Sequence, residues 1–373
     1  MARTVFFHVG LPKTGTTYLQ TLLWANKDEL AAQGVLLPGE SVREHLWASG
    51  AVREDPKLDR RGEDAPGAWD RLVEEIRAWP DTALVSHEFF AAASAEQVRR
   101  ACDQLGGADV HVVVTARDMV SLVTARWQEY VKNGSTVDVD GYPKREETAP
   151  QSEWDWGTLD LADVLDRWGA HLPADHVHVI TLPRPSEPRD ALWQRFADVV
   201  GIDTSRCDDS DTTVNESLGV VEVELLRRVN GVLVDFKSAQ DRGNWIRSYL
   251  AQGKLVPRRG ERFWPSPERV KQLRVRGDKV VDDLVPRGYE VVGDIDRLRT
   301  PAELPERRHP DSVTDGEMLD AAVATIAAML TDVRRLTREA RALRRTVDRL
   351  ERERVPAAAR KVTRGMRRMW RRS

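Results

Sequence analysis

The segment that most restricts what this chain can fold into lies near its start. Residues 4–9, Thr-Val-Phe-Phe-His-Val, form a short β-branched and aromatic run ending at Gly10, the pattern of a strand buried on both faces. After residues 10–17, Leu19, Leu22, Leu23, Asn26 and Leu30 recur at helical spacing, and Gly34 offers a left-handed C-terminal cap. Strand, tight loop and helix in that order aim loop amides and a helix dipole at one point, which suits an anion. Gly15 permits close backbone approach, Thr16 and Thr17 add hydroxyl donors in the first helical turn, and Lys13 adds a point charge. The lysine precedes Gly15 by two positions instead of following it, so the loop departs from the G-x-x-x-x-G-K-[ST] spacing of a Walker A loop.

Three further strand candidates, residues 83–86, 110–115 and 177–181, alternate with segments of helical periodicity. That alternation predicts an α/β fold, a three-layer parallel sheet with a P-loop-like nucleotide site. Helices are expected over 190–200 and 215–236, while 243–299 mixes proline breaks with short helical runs. Two stretches, 38–69 and 133–156, are rich in charge, Pro, Gly and Trp and too long for simple connectors, so they read as lids or acceptor-binding insertions.

The 373-residue length and 41% hydrophobic content allow one large domain, expected over 1–305, followed by a linker at 306–320, a coiled-coil helix at 321–355 and a basic tail at 356–373. Cys102 and Cys207 are the only cysteines, without disulfide-framework or zinc-ligand spacing, and a reducing cytosol fits them. No apolar run reaches 18 residues and no signal-type segment opens the chain, which predicts a cytoplasmic protein without a membrane span.

The loop Pro12-Lys13-Thr14-Gly15-Thr16-Thr17 resembles the 5′-phosphosulfate loop of sulfotransferases that use 3′-phosphoadenosine 5′-phosphosulfate (PAPS). The resemblance implies that PAPS is the co-substrate, that Lys13, Thr14, Gly15, Thr16 and Thr17 hold its 5′ end, and that no metal is needed. Such enzymes place a base at the end of a following strand, and residues 82–88 read Thr-Ala-Leu-Val-Ser-His-Glu. The Ser-x-Glu pattern of bacterial relatives maps the base onto Glu88, which is preferred, while His87 matches the cytosolic eukaryotic type; the alternative is that Ser86 and Glu88 cap the next helix.

Residues 112–129 repeat strand then helix with Arg117 at the junction, similar to the family's 3′-phosphate site. The family's serine eight residues on falls here on Ala125, so Ser121, one turn earlier, is taken as the second ligand with Thr124 adjacent, and Arg126 is assigned to the surface. Arg258-Arg259-Gly260 echoes a late basic loop but reads as a charged turn, and residues 192–196 and 288–294, similar to segments of actinobacterial sulfotransferase-like proteins, read as packing. The resemblance spans residues 3–300 and implies sulfuryl transfer to a hydroxyl of an acceptor, carbohydrate, glycolipid or small molecule. Trp127, Trp154 and Trp156 either stack on a sugar or pack in core and lid. The alternatives are a P-loop small-molecule kinase and a catalytically silent nucleotide-binding scaffold.

From Ala322, apolar residues at 326, 329, 333, 336, 340, 343, 347 and 350 step by four and three, a coiled-coil seam that predicts a homodimer or, alternatively, a helix folded back on the domain. Residues 354–373 carry eight Lys or Arg and no acid, leaving a charge of about −11 on the rest of the chain. With Met366, Met369 and Trp370 interleaved, this tail suits peripheral contact with the anionic inner membrane face, the alternative being a solubilising tail; nucleic acid is not expected as a partner.

Overall fold

The computed structural model describes residues 1–143, 153–210 and 217–354. Six strands, β1 (Thr4–His8), β2 (Val35–Leu36), β3 (Thr82–Ser86), β4 (Asp109–Ala116), β5 (Val177–Thr181) and β6 (Glu290–Val292), pair in the order β2-β3-β1-β4-β5-β6, every pairing parallel. The two strands absent from the sequence expectation are the edges, of two and three residues, too short to carry a readable alternation.

Alternation along β1 fills a layer on each side of the sheet. Phe7 turns to one face, where it meets Trp69, Phe90 and Trp168 at ring distances of 5.8, 5.7 and 5.0 Å. Phe6 turns to the other and joins Leu19, Leu22 and Leu23 of helix α1 (Thr16–Ala25), with Trp193 and Phe196 of the helix Ala191–Val200. Helices therefore cover both faces of a buried parallel sheet.

The helix expected to continue through Leu30 is instead two, α1 and α2 (Lys27–Ala32). Asn26 separates them: its side-chain amide donates to the carbonyls of Leu22 (2.9 Å) and Asp208 (2.8 Å), competing with the helical ladder. The first insertion is structured and contributes to the core through α3 (Val42–Val52) and α4 (Ala68–Ala78). Next come α5 (Ala95–Gln104) and α6 (Met119–Lys132). The helix expected over 215–236 spans Val220–Val232, and residues 211–216 lie outside the described set. Arg242–Leu255 is a π-helix.

The chain divides into two compact units, residues 1–313 and 314–373. In the second, the helix Asp315–Arg354 starts earlier than residue 321 because Thr314 and Glu317 form a capping box, the Thr314 amide donating to the Glu317 carboxylate (2.9 Å) and the Glu317 amide to the Thr314 hydroxyl (3.3 Å). Ile326, Val333, Leu336, Leu343, Val347 and Leu350 on this helix are each more than half exposed. The basic tail lies outside the described residues, and no helix among those described is long and apolar enough to cross a membrane.

Candidate active site

Strand order fixes where a site can form. From β1 the chain builds β2 and β3 on one side and then β4 to β6 on the other, so the connections after β1, β3 and β4 emerge side by side at the carboxyl edge, at a topological switch point. The three sequence motifs sit on those three connections.

The loop after β1 is tied to β4 by amide bonds from Val9 to the Val113 carbonyl and from Leu11 to the Thr115 carbonyl, each 3.0 Å. Thr14 belongs to this anchorage: its hydroxyl contacts the Leu11 carbonyl and, at 2.7 Å, the Thr115 hydroxyl, and the residue is fully buried. It offers an anion its backbone only. Gly15 sits at φ +87°, a conformation that favours glycine, and a Cβ there would stand 2.4 Å from the Leu192 Cδ2 methyl, which would have to shift. Leu192, expected to pack, roofs the loop. Thr16 is 3% exposed, and its hydroxyl has no protein partner. The first-turn amides of α1 have no intrahelical acceptor.

Lys13 occupies the left-handed region at φ +68°. Its ammonium lies 3.3 Å from Glu129 Oε1, which Lys132 approaches at 3.0 Å. Burial alone would raise the Glu129 carboxyl; the two lysines reverse that and draw it down to about 2.

At the end of β3, Ser86 is enclosed. His45 Nδ1 accepts from its amide (3.1 Å), Gln20 donates to its carbonyl (3.0 Å), and its hydroxyl meets His8 Nδ1 at 2.8 Å. His45 also donates from Nε2 to the Pro38 carbonyl (2.8 Å). Complete burial pushes both His8 and His45 down to about 4, so they are neutral parts of the frame.

His87 and Glu88 then separate in role. The cap of the turn Glu88–Ala92 is His87, not Ser86 or Glu88: its Nδ1 accepts from the Phe89 amide at 3.1 Å. That lone pair is therefore engaged, and burial lowers the His87 pKa. Glu88 lines the cleft, with Oε2 unpartnered and 4.0 Å from His87 Nδ1. Burial works against its ionisation, yet His87, its own amide and Arg126 hold its pKa below the usual value. Because burial keeps His87 neutral near pH 7, Arg126 is the standing positive charge beside this carboxylate.

Arg117 follows β4, and its Nη1 donates to the Lys13 carbonyl at 3.4 Å, bringing first and third motifs together. Its Nε is buried without a partner. Burial lowers its pKa, Asp118 opposes this, and Arg297 with Arg262 adds repulsion, so like charges gather at one point. The Ser121 amide donates to Asp118 Oδ1 (2.9 Å), and its side chain lines the cleft, whereas the Thr124 hydroxyl is spent on the Val120 carbonyl (2.7 Å).

Arg126 is not a surface residue. It is 4% exposed, donates to the Glu153 carbonyl at 2.5 Å and lies over the Trp154 ring at 3.9 Å. It too lines the cleft, as does Trp154. Trp127 is core, packed on Phe263 at 5.4 Å, and Trp156 is covered by Arg276 at 4.0 Å.

These groups share a cleft of about 1420 Å³ lined by ten Lys or Arg side chains against three glutamates. His87 is not among its lining residues. Sequence reading did not find Lys132, Arg262, Arg307 or the π-helix residues Arg242 and Arg247. The signal for Lys132 was present: Ser121, Ala125, Gln128 and Lys132 recur by four and three along α6 and face the cleft together. Arg258 pairs with Glu222 at 2.9 Å, outside the cleft lining.

No family model matches the chain, and no curated protein does. Among solved structures, the crystal structure of a sulfotransferase from Alicyclobacillus acidocaldarius is similar over 57% of this chain and 87% of that one, at 18% identity and a TM-score of 0.39.

Proposed function

We propose that the chain is a sulfotransferase that moves a sulfuryl group from PAPS to an acceptor hydroxyl. The observation that carries this reading is the meeting of the Lys13 loop, Glu88 and Arg117 in one cation-rich cleft. In this reading Lys13, the amides of residues 14–17 and the Thr16 hydroxyl receive the 5′-phosphosulfate. Arg117, with Ser121 beside it, receives the 3′-phosphate, its crowding with Arg262 and Arg297 relieved by a dianion.

Glu88 takes the proton of the acceptor hydroxyl as that oxygen attacks sulfur in line, and the S–O bond to the 5′-phosphate breaks. The electron pair leaves with adenosine 3′,5′-bisphosphate, whose new charge Lys13 neutralises. Glu88 is preferred to His87 because it lines the cleft and its Oε2 has no protein partner, while the His87 nitrogen caps a turn. The exposed apolar seam on the helix Asp315–Arg354 supports pairing with a second copy, which sedimentation equilibrium of the full chain tests.

Calorimetric titration with adenosine 3′,5′-bisphosphate, 5′-AMP and ATP with Mg²⁺ tests the donor. Micromolar binding that requires the 3′-phosphate and weakens roughly 100-fold in Arg117→Ala is expected, about two charge-assisted hydrogen bonds. Preference for ATP with Mg²⁺ would replace this reading by a kinase.

A further inference from the structure

The amino edge of the sheet, opposite the cleft, carries a second group of chemistry-bearing side chains. Asp109 opens β4, His111 lies two residues along it, and His176 immediately precedes β5. We propose that Asp109, His111 and His176 form a binding site for a divalent transition metal of the zinc type.

Proton placement begins at β6. The Glu290 carboxylate lies 2.5 Å from His178 Nδ1, so that nitrogen bears the hydrogen. In that tautomer His178 Nε2 accepts from His111 Nδ1, 2.8 Å away. The remaining nitrogen of His111, Nε2, faces Asp109 Oδ2 at 3.6 Å and is the one open to a metal in this tautomer. His176 Nδ1 stands 3.3 Å from the other carboxylate oxygen of Asp109, and the His111 and His176 rings are stacked at 4.1 Å. Two imidazole nitrogens and a carboxylate thus face one point, which a cation would complement once each nitrogen presents its lone pair.

Donor spacing fits such an ion. Bonds of 2.0–2.2 Å to N and O ligands in a tetrahedral shell separate donors by about 3.4 Å, and the three donor atoms here lie within 4.8 Å of one another. The His111 and His176 side chains are 16% and 18% exposed and Asp109 is 56% exposed, which leaves a side open for entry and for water as a further ligand. Glu290 and His178 supply the outer chain of hydrogen bonds that orients a metal-bound imidazole, and Phe6, 4.9 Å from the His111 ring, walls its inner side. His176 also has the Val110 carbonyl 3.1 Å from Nδ1; ligation through that nitrogen moves its proton to Nε2, which faces Asp175 at 4.0 Å.

The site is about 20 Å from Arg117 along β4, at 3.3 Å per residue, so its metal clips the start of β4 to the turn before β5 and takes no part in the transfer chemistry. Sequence spacing gave no sign of it, because His111 and His176 are joined by the fold and not by a short motif.

Calorimetry of the full chain, free of affinity histidines and stripped with chelator, with ZnCl₂ at pH 7.5 tests the proposal. One Zn²⁺ per chain at micromolar or tighter affinity is expected, with a rise in melting temperature that His176→Gln and Asp109→Asn abolish. His178→Gln, which interrupts the outer chain, should weaken binding by roughly 10- to 100-fold. Equal Zn²⁺ affinity in wild type and His176→Gln would overturn the proposal. Histidine ¹⁵N NMR of the Zn²⁺-saturated wild type decides the question even if a variant fails to fold: a proton on His111 Nε2 would show a proton in the metal's place.

Discussion

The two ends of β4 face opposite electrostatic problems. At its carboxyl end, Arg117 stands with Arg262 in a cleft where cations outnumber carboxylates, and Arg297 adds repulsion. At its amino end, Asp109 and His111 join other imidazoles and carboxylates. One end holds an excess of cations and the other gathers imidazoles around a carboxylate. A buried apolar strand, Val112 to Val114, separates them, so each edge can be specialised without disturbing the other.

The sharpest way to break this separation is at the cleft. Glu88→Gln should lower kcat by roughly 10²- to 10⁴-fold, the range of general-base catalysis, while nucleotide affinity, Zn²⁺ affinity and melting temperature stay near wild type. A matched fall in nucleotide binding would instead make Glu88 part of the frame. Lys13→Ala should lower kcat by about 10²- to 10³-fold in single-turnover assays, as loss of one charge-stabilising group does.

Acid tests the frame between the two ends. His8 and His45 titrate near 4 when folded and near 6.5 when unfolded, so the unfolded chain binds more protons as pH falls between those values. Stability is therefore full above pH 6.5 and falls as pH drops towards 4, by up to roughly 3 kcal/mol for each histidine. Urea unfolding at pH 7 and pH 4.5 reads this, and a flat profile would contradict the assignment. Gly15→Ala should lose about 1–3 kcal/mol of stability from a strained left-handed alanine, measured the same way. The smallest effect expected is ionic: raising salt from 0.05 to 0.5 M should weaken nucleotide binding through screening of the exposed cleft cations.

Much of the fold was legible because four strands and the first loop obey local rules. Residues 177–181 form a strand as the pattern implied, and the Gly10–Thr17 segment lies between a strand and a helix. What was hidden has physical causes. The edge strands are too short for a period, and Arg242–Leu255 is a π-helix, whose buried Ile246 and Ala251 are five apart, a spacing an α-helical reading does not look for. Arg126 was misread because position on a helix does not reveal that Trp154, from a distant insertion, covers it. The roles of His87 and Glu88, adjacent in sequence, separated only once the turn that His87 caps was visible.

Glu129 holds two lysines of the cleft with one carboxylate oxygen. An anion entering the loop must compete with it for Lys13, and when the anion leaves, Lys13 regains Glu129 as its partner. If the proposed transfer holds, Glu129 is an internal rival that would loosen the grip of Lys13 on donor and spent nucleotide alike.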